Sequence, residues 1–122
     1  MSDETAPMLE CEGWWEQGWT GRQYMSDLRM SISGGRVFGS GHDMVGIFTF
    51  EGTIDEGGTV VMVKVYPTHN VHYVGKYDGE GTMSGEWEIV NFDRGPWMIR
   101  IARATVDESM EIQEFVPVPQ GE

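Results

Sequence analysis

Cysteine is almost absent from this chain: Cys11 stands alone, so no internal disulfide can staple the fold. Bases are scarce as well, with 8 Lys and Arg against 20 Asp and Glu and a net charge of −12. They nowhere form a cluster, and a chain of this sign repels phosphate backbones, which argues against nucleic acid as a partner. No apolar run approaches the roughly 20 residues of a membrane-spanning helix, and no charged-then-apolar leader opens the sequence. These absences predict a soluble, cytoplasmic, reduced protein without a membrane span. Helical periodicity is missing too. Its best candidate, 104–115, places Val106 and Met110 four apart but then brings Glu114 onto the same face.

What remains is a chain of 122 residues, most simply one domain and long enough to bury a core unaided. Its acids are unevenly placed. Residues 1–16 carry five acids and no base, and 103–122 carry five acids and Arg103, whereas the stretch between is nearly balanced. Charge at the two ends keeps a small domain soluble. The composition divides the chain into a flexible acidic arm (1–16), a β-barrel domain (17–103) and an acidic tail or edge strand (104–122), the tail holding Pro117 and Pro119.

The central stretch carries a recurring pair, a glycine two residues from an aromatic: Trp19 and Gly21, Gly46 and Phe48, Tyr73 and Gly75, Gly85 and Trp87, Gly95 and Trp97. Residues two apart on a strand share a face. A glycine there lets the sheet bend, or lets a large ring lie over bare backbone. Alternation predicts strands over 17–24, 26–33, 35–40, 45–54, 59–66, 71–78, 82–90 and 96–103, with turn signals every 8–12 residues. Gly34-Gly35, Asp55 to Gly58, Pro67 to Asn70 and Asp78 to Gly81 mark the hairpins. Phe48, Phe50 and Ile54 oppose Thr49, Glu51 and Thr53, and Met83, Trp87 and Ile89 oppose Ser84, Glu86 and Glu88. One face is for the interior and one for water. The 59–66 strand declares no face, because Val61, Val63 and Val65 compete with Val60, Met62, Lys64 and Tyr66. The pattern predicts an all-β fold, a single antiparallel up-and-down barrel of about eight strands, since closure removes exposed sheet edges.

The order Trp19-x-Gly21-x-x-Tyr24, then Gly-x-Gly-x-Asp over Gly39 to Asp43, then Gly46-x-Phe48-x-Phe50-x-Gly52 resembles calycin-type barrels. That group comprises avidins, fatty-acid-binding proteins and lipocalins, and the tryptophan before the first Gly is most similar to avidins. The resemblance is architectural and covers about 17–103. The polar residues by which avidins hold biotin have no match here, so biotin is not carried over. What the resemblance implies is an eight-stranded barrel holding a small apolar or amphipathic ligand.

Trp19, Phe48, Phe50, Tyr73, Trp87 and Trp97 are the aromatics expected to converge inside, either as a ligand cup or as a filled core. Lys64, Tyr66 and Arg100 are the polar residues that could orient a ligand's carboxylate or carbonyl. His42 beside Asp43 is the one candidate acid–base pair, against the plainer role of Asp43 as a turn cap. His69 and His72 do not make a metal site without a third converging ligand. No nucleophile elbow or phosphate loop occurs, so catalysis is not the leading expectation, and no cofactor or metal is expected. Trp14 and Trp15 cannot both face inward from one strand, so one is expected to plug the barrel end or to meet a partner. Three readings follow. The first is a lumen that binds a small hydrophobic or amphipathic ligand. The second is a filled interaction module, a homo-oligomer included. The third is a barrel enzyme acting on a small apolar substrate through His42 and Asp43.

Overall fold

The computed structural model describes residues 7–104. Eight strands run in order: β1 (Leu9–Gln17), β2 (Gly21–Ser33), β3 (Arg36–His42), β4 (Ile47–Ile54), β5 (Thr59–Val65), β6 (Asn70–Tyr77), β7 (Thr82–Ile89) and β8 (Asp93–Ala104). Each pairs antiparallel with the next, and β8 returns to β1, closing an up-and-down barrel. A single turn of 3-10 helix, Gly18–Thr20, joins β1 to β2. No helix among the described residues is long and apolar enough to cross a membrane.

The expected strand count is right, but its first members need correction. Residues 9–16, read as part of a flexible arm, form most of β1. Their acids hide the alternation. Gly13 and Trp15 are buried and Cys11 packs against the core, while Glu12 and Glu16 lie on the outer side. There Glu12 pairs with Arg100 of β8, and Glu16 meets Arg22 of β2 at 2.7 Å. The segments read as separate strands at 17–24 and 26–33 are one strand, β2. It carries an irregularity between Ser26 and Arg29, with Asp27 at φ 53°. Of the expected tail, Ala104 ends β8, and 105–122 lie outside the described residues.

The undecided strand resolves cleanly. Val60, Met62, Lys64 and Tyr66 are buried, while Val61 and Val65 are exposed on the outer wall. Glycines opposite aromatics do what the pattern predicts at two positions. A Cβ on Gly75 would meet the Trp97 ring at 2.9 Å and the Ser84 carbonyl, and one on Gly95 would meet Trp87 Nε1 at 2.9 Å. The bare backbone lets both indoles lie flat against the wall and donate into it. Trp97 Nε1 donates to the Val74 carbonyl at 3.2 Å, and Trp87 Nε1 to the Glu16 carbonyl at 2.9 Å. Buried indoles need such partners.

Up-and-down topology gathers four connections at one barrel end and three at the other, and the ends differ. We call the end with the β1–β2, β3–β4, β5–β6 and β7–β8 turns the mouth, and the opposite end the floor. The floor half of the lumen is aliphatic and sulfur-rich: Met30, Val37, Val60, Met62, Met83 and Ile99 are all essentially buried. Methionine suits such an irregular taper because it is flexible and polarizable. The mouth half holds Trp15, Phe48, Tyr66, Tyr73 and Trp87, together with a charge.

Candidate functional site: a cup at the barrel mouth

That charge is Lys64, only 1% exposed. An ammonium cannot be buried without a partner at acceptable cost, and the β3–β4 turn supplies one. Asp43 and Gly46 exchange backbone hydrogen bonds at 3.1 Å in each direction, leaving Met44 and Val45 at the tip. Asp43 Oδ1 accepts from the Val45 amide at 3.0 Å, the Asx cap that Asp favours in turns. The cap turns the side chain inward. Its Oδ2 then accepts from Lys64 Nζ at 2.7 Å, Tyr66 Oη at 2.7 Å and Trp15 Nε1 at 3.1 Å. The carboxylate is satisfied on both oxygens and fixes β1 and the end of β5 to one loop.

The electrostatics follow from burial. Burial pulls the Lys64 ammonium down to about 8, against the hydrogen bond and charge of Asp43, which hold it up. Burial also pushes the Asp43 carboxyl up. Hydrogen bonds from Lys64 and Tyr66 outweigh that and leave it below the usual carboxylate range. Burial, and then the nearby carboxylate, push the Tyr66 and Tyr73 phenols well up, so both stay protonated. Aromatic faces surround the cation, the nearest being Phe48 with its centroid 4.2 Å from Nζ.

One proton is left over. Lys64 Nζ donates to Tyr73 Oη at 3.3 Å. The phenol is therefore an acceptor there, and its own O–H finds no acceptor among the described residues. Tyr73 is 2% exposed, and it lines a cavity of about 160 Å³ just inside the mouth. The walls are Trp15, Tyr66, Val71 and Trp87, with Val45, Ile89 and Phe92 above and Gln17 and His69 at the edge. Trp15 and Trp87 meet edge to face at 6.0 Å. His69 stacks on Tyr66 at 5.0 Å. A larger groove of about 570 Å³ runs along the outer wall over Ile47 and Thr49. It is open to solvent, and two of its polar side chains, Asp27 and His42, are paired with each other.

Of the residues expected to gather inside, Phe48, Phe50, Lys64, Tyr66, Tyr73, Trp87 and Trp97 are all buried in the lumen. Two are not. Trp19 is 95% exposed, because the chain turns at Gly18–Thr20 and throws the ring off the barrel. Arg100 faces outward and pairs with Glu12, since its neighbour Ile99 takes the inward position. His42 and Asp43 do not act together either. His42 bonds Asp27 at 2.8 Å on the exposed side, while Asp43 turns into the lumen. Trp14 and Trp15 divide as expected. Trp15 is in the lumen, and Trp14 lies outside under the Arg22 guanidinium at 3.8 Å. Among the described residues no group of three or more His, Cys, Asp or Glu is placed to hold a metal.

Sequence reasoning missed Asp43 as the hub and Phe92 in the wall, left open which of Trp14 and Trp15 turns inward, and did not name Val71 as a ligand contact. A signal for Asp43 existed. A lysine on the face of Val60 and Met62 demands a carboxylate, and an aspartate flanked by glycines in a mouth loop can reach inward. No family model matches the chain, and neither the curated proteins nor the solved structures searched contain a match.

Proposed function

We propose that the barrel binds a compact, mostly apolar small molecule in the mouth cup, with one ligand oxygen accepting the Tyr73 hydroxyl proton. The observation that carries this is the orphan donor. A buried O–H without an acceptor costs on the order of 1–3 kcal/mol, and Tyr73 is one of the residues lining the apolar cavity. The Asp43 carboxylate is already fully paired and Lys64 is committed to it. The recognised group is therefore a neutral acceptor such as a carbonyl, and a carboxylate would meet the Asp43 charge. A cavity of about 160 Å³ matches in size the engineered ~150 Å³ cavities that admit benzene, so the ligand body is about one ring. This reading agrees with the calycin resemblance of the strand text.

Acetophenone, one ring with one carbonyl, is a suitable probe. Isothermal titration should show saturable binding to the wild-type chain. Val71→Phe fills the cup from β6, and should abolish that binding while leaving the β-sheet circular dichroism unchanged. Equal binding by Val71→Phe would remove the cup from consideration.

A further inference from the structure

The mouth has a second property, carried by the tips of its loops rather than by the cup. Trp19 (95% exposed), Phe92 (75%) and Met44 (71%) stand on three different turns, with Val90 and Val45 exposed beside them. The fourth turn, Pro67 and Thr68, is uncharged. Asp43, the charged residue in the Met44 turn, is folded inward. A chain with 28 charged residues thus presents none at the tips of one end. The opposite end is the reverse: its turns carry Asp55, Glu56, Asp78 and Glu80 among glycines.

Just behind the apolar tips lies a collar of both signs. Arg22 pairs with Glu16 at 2.7 Å, Arg94 stands 3.9 Å from Glu86, and Asp93 accepts from Gln17 at 2.8 Å. Separate rings on separate turns, backed by mixed charge, do not form a flat patch for a rigid protein surface. They suit a soft medium with an apolar interior and a headgroup layer carrying both charges. Tryptophan is the residue that settles at such an interface. With a net charge of −12, an anionic surface would repel the chain.

We infer that the mouth docks on a zwitterionic lipid surface, with Trp19, Met44 and Phe92 inserted at headgroup depth and the Arg22 and Glu16 collar among the headgroups. The barrel stays outside the bilayer, since its wall carries Glu51, His72, Glu86 and Arg100 outward. The inference rests on the exposed loop tips and goes beyond the cup, whose upper edge Phe92 and Val45 also border. If both hold, the cup opens toward the lipid, from which an apolar ligand would partition.

Vesicle flotation of the full chain with extruded phosphatidylcholine tests it. The wild type should float with the vesicles, and its partition should survive 0.5 M salt, as apolar insertion does. Trp19→Ser with Phe92→Ser should cut the partition by at least about tenfold, since each ring removes a large apolar contact. Both side chains are exposed, so the fold should not suffer, and Glu56→Ser with Glu80→Ser at the other end should float as wild type does. Val71→Phe, which fills the cup, should also float unchanged, so failure of the cup and failure of the rim are separable. The inference is overturned if the wild type stays at the bottom of the gradient, or if the rim variant floats equally well. It is also overturned if sedimentation reveals a dimer that the rim variant dissolves, which would assign the tips to a second copy of the chain.

Discussion

The two halves of the lumen are built from the same eight strands and obey opposite rules. Toward the floor, Met30, Val37, Val60, Met62, Met83 and Ile99 fill the space with flexible and branched apolar groups. Toward the mouth, Asp43, Lys64, Tyr66, Tyr73 and Trp15 form a hydrogen-bonded network under an unfilled cavity. The difference teaches how apolar packing and polar pairing are divided along one barrel. An aliphatic layer that packs tightly needs no polar atoms. A layer of large rigid rings cannot fill a round lumen completely, and its polar tips must be satisfied, which leaves both a gap and, among the described residues, one phenol proton without an acceptor.

The largest effect should come from breaking the charge pair. Lys64→Met leaves Asp43 buried without its cation, and should cost about 3–5 kcal/mol in denaturant unfolding. Adding Asp43→Asn should recover much of that loss, because a neutral pair no longer carries the desolvation penalty. On the floor side, Met62→Ala should cost about 2–5 kcal/mol through the cavity it opens. It should leave acetophenone affinity unchanged, and a change there would mean that the two halves are not separable.

The pH dependence sharpens the same contrast, since the buried floor residues named above do not titrate, and the Cys11 thiol packed on the core is pushed up to about 11 by burial and stays neutral over most of the pH range. Asp43 is depressed below its ordinary value in the fold, so its contribution is present above about pH 4, the ordinary aspartate range, and is lost as the pH falls through the lower folded value. Lys64 is depressed to about 8 from 10.5. Between those values the unfolded chain binds more protons, so this group makes stability rise with pH across that window. Both slopes should vanish in the Asp43→Asn, Lys64→Met double variant, as read from unfolding free energies at pH 3 to 10.

How much of this was legible depends on where each signal lives. In β4, β6 and β7 alternation set the faces directly, whereas β5 stayed undecided, and Gly75 and Gly85 stand where a Cβ would strike the neighbouring strand. The β1 strand was illegible because its outward acids resemble a solvated arm until Arg22 and Arg100 are seen across the ladder. Parity could not decide between Trp15 and Trp19, which sit four apart on the same alternation. The turn at Gly18–Thr20 decides it, and that turn has no strong sequence mark beyond one glycine. Within the site, Lys64 and Tyr66 could be placed on one face with Met62 from the text, though not which face is inward. The reach of Asp43 could not, since it depends on an Asx cap that rotates one side chain away from its strand.

The central claim is that the Tyr73 hydroxyl proton, which finds no acceptor among the described residues, waits for a ligand oxygen. The most direct measurement compares acetophenone with α-methylstyrene, which replaces its carbonyl by a methylene of the same shape, against wild type and Tyr73→Phe. A net hydrogen bond is worth about 0.5–1.5 kcal/mol. Wild type should therefore prefer the ketone by a few-fold to about tenfold, and Tyr73→Phe should erase the preference while still binding the hydrocarbon. Equal affinity of wild type for both probes, or a preference that survives in Tyr73→Phe, would contradict the account.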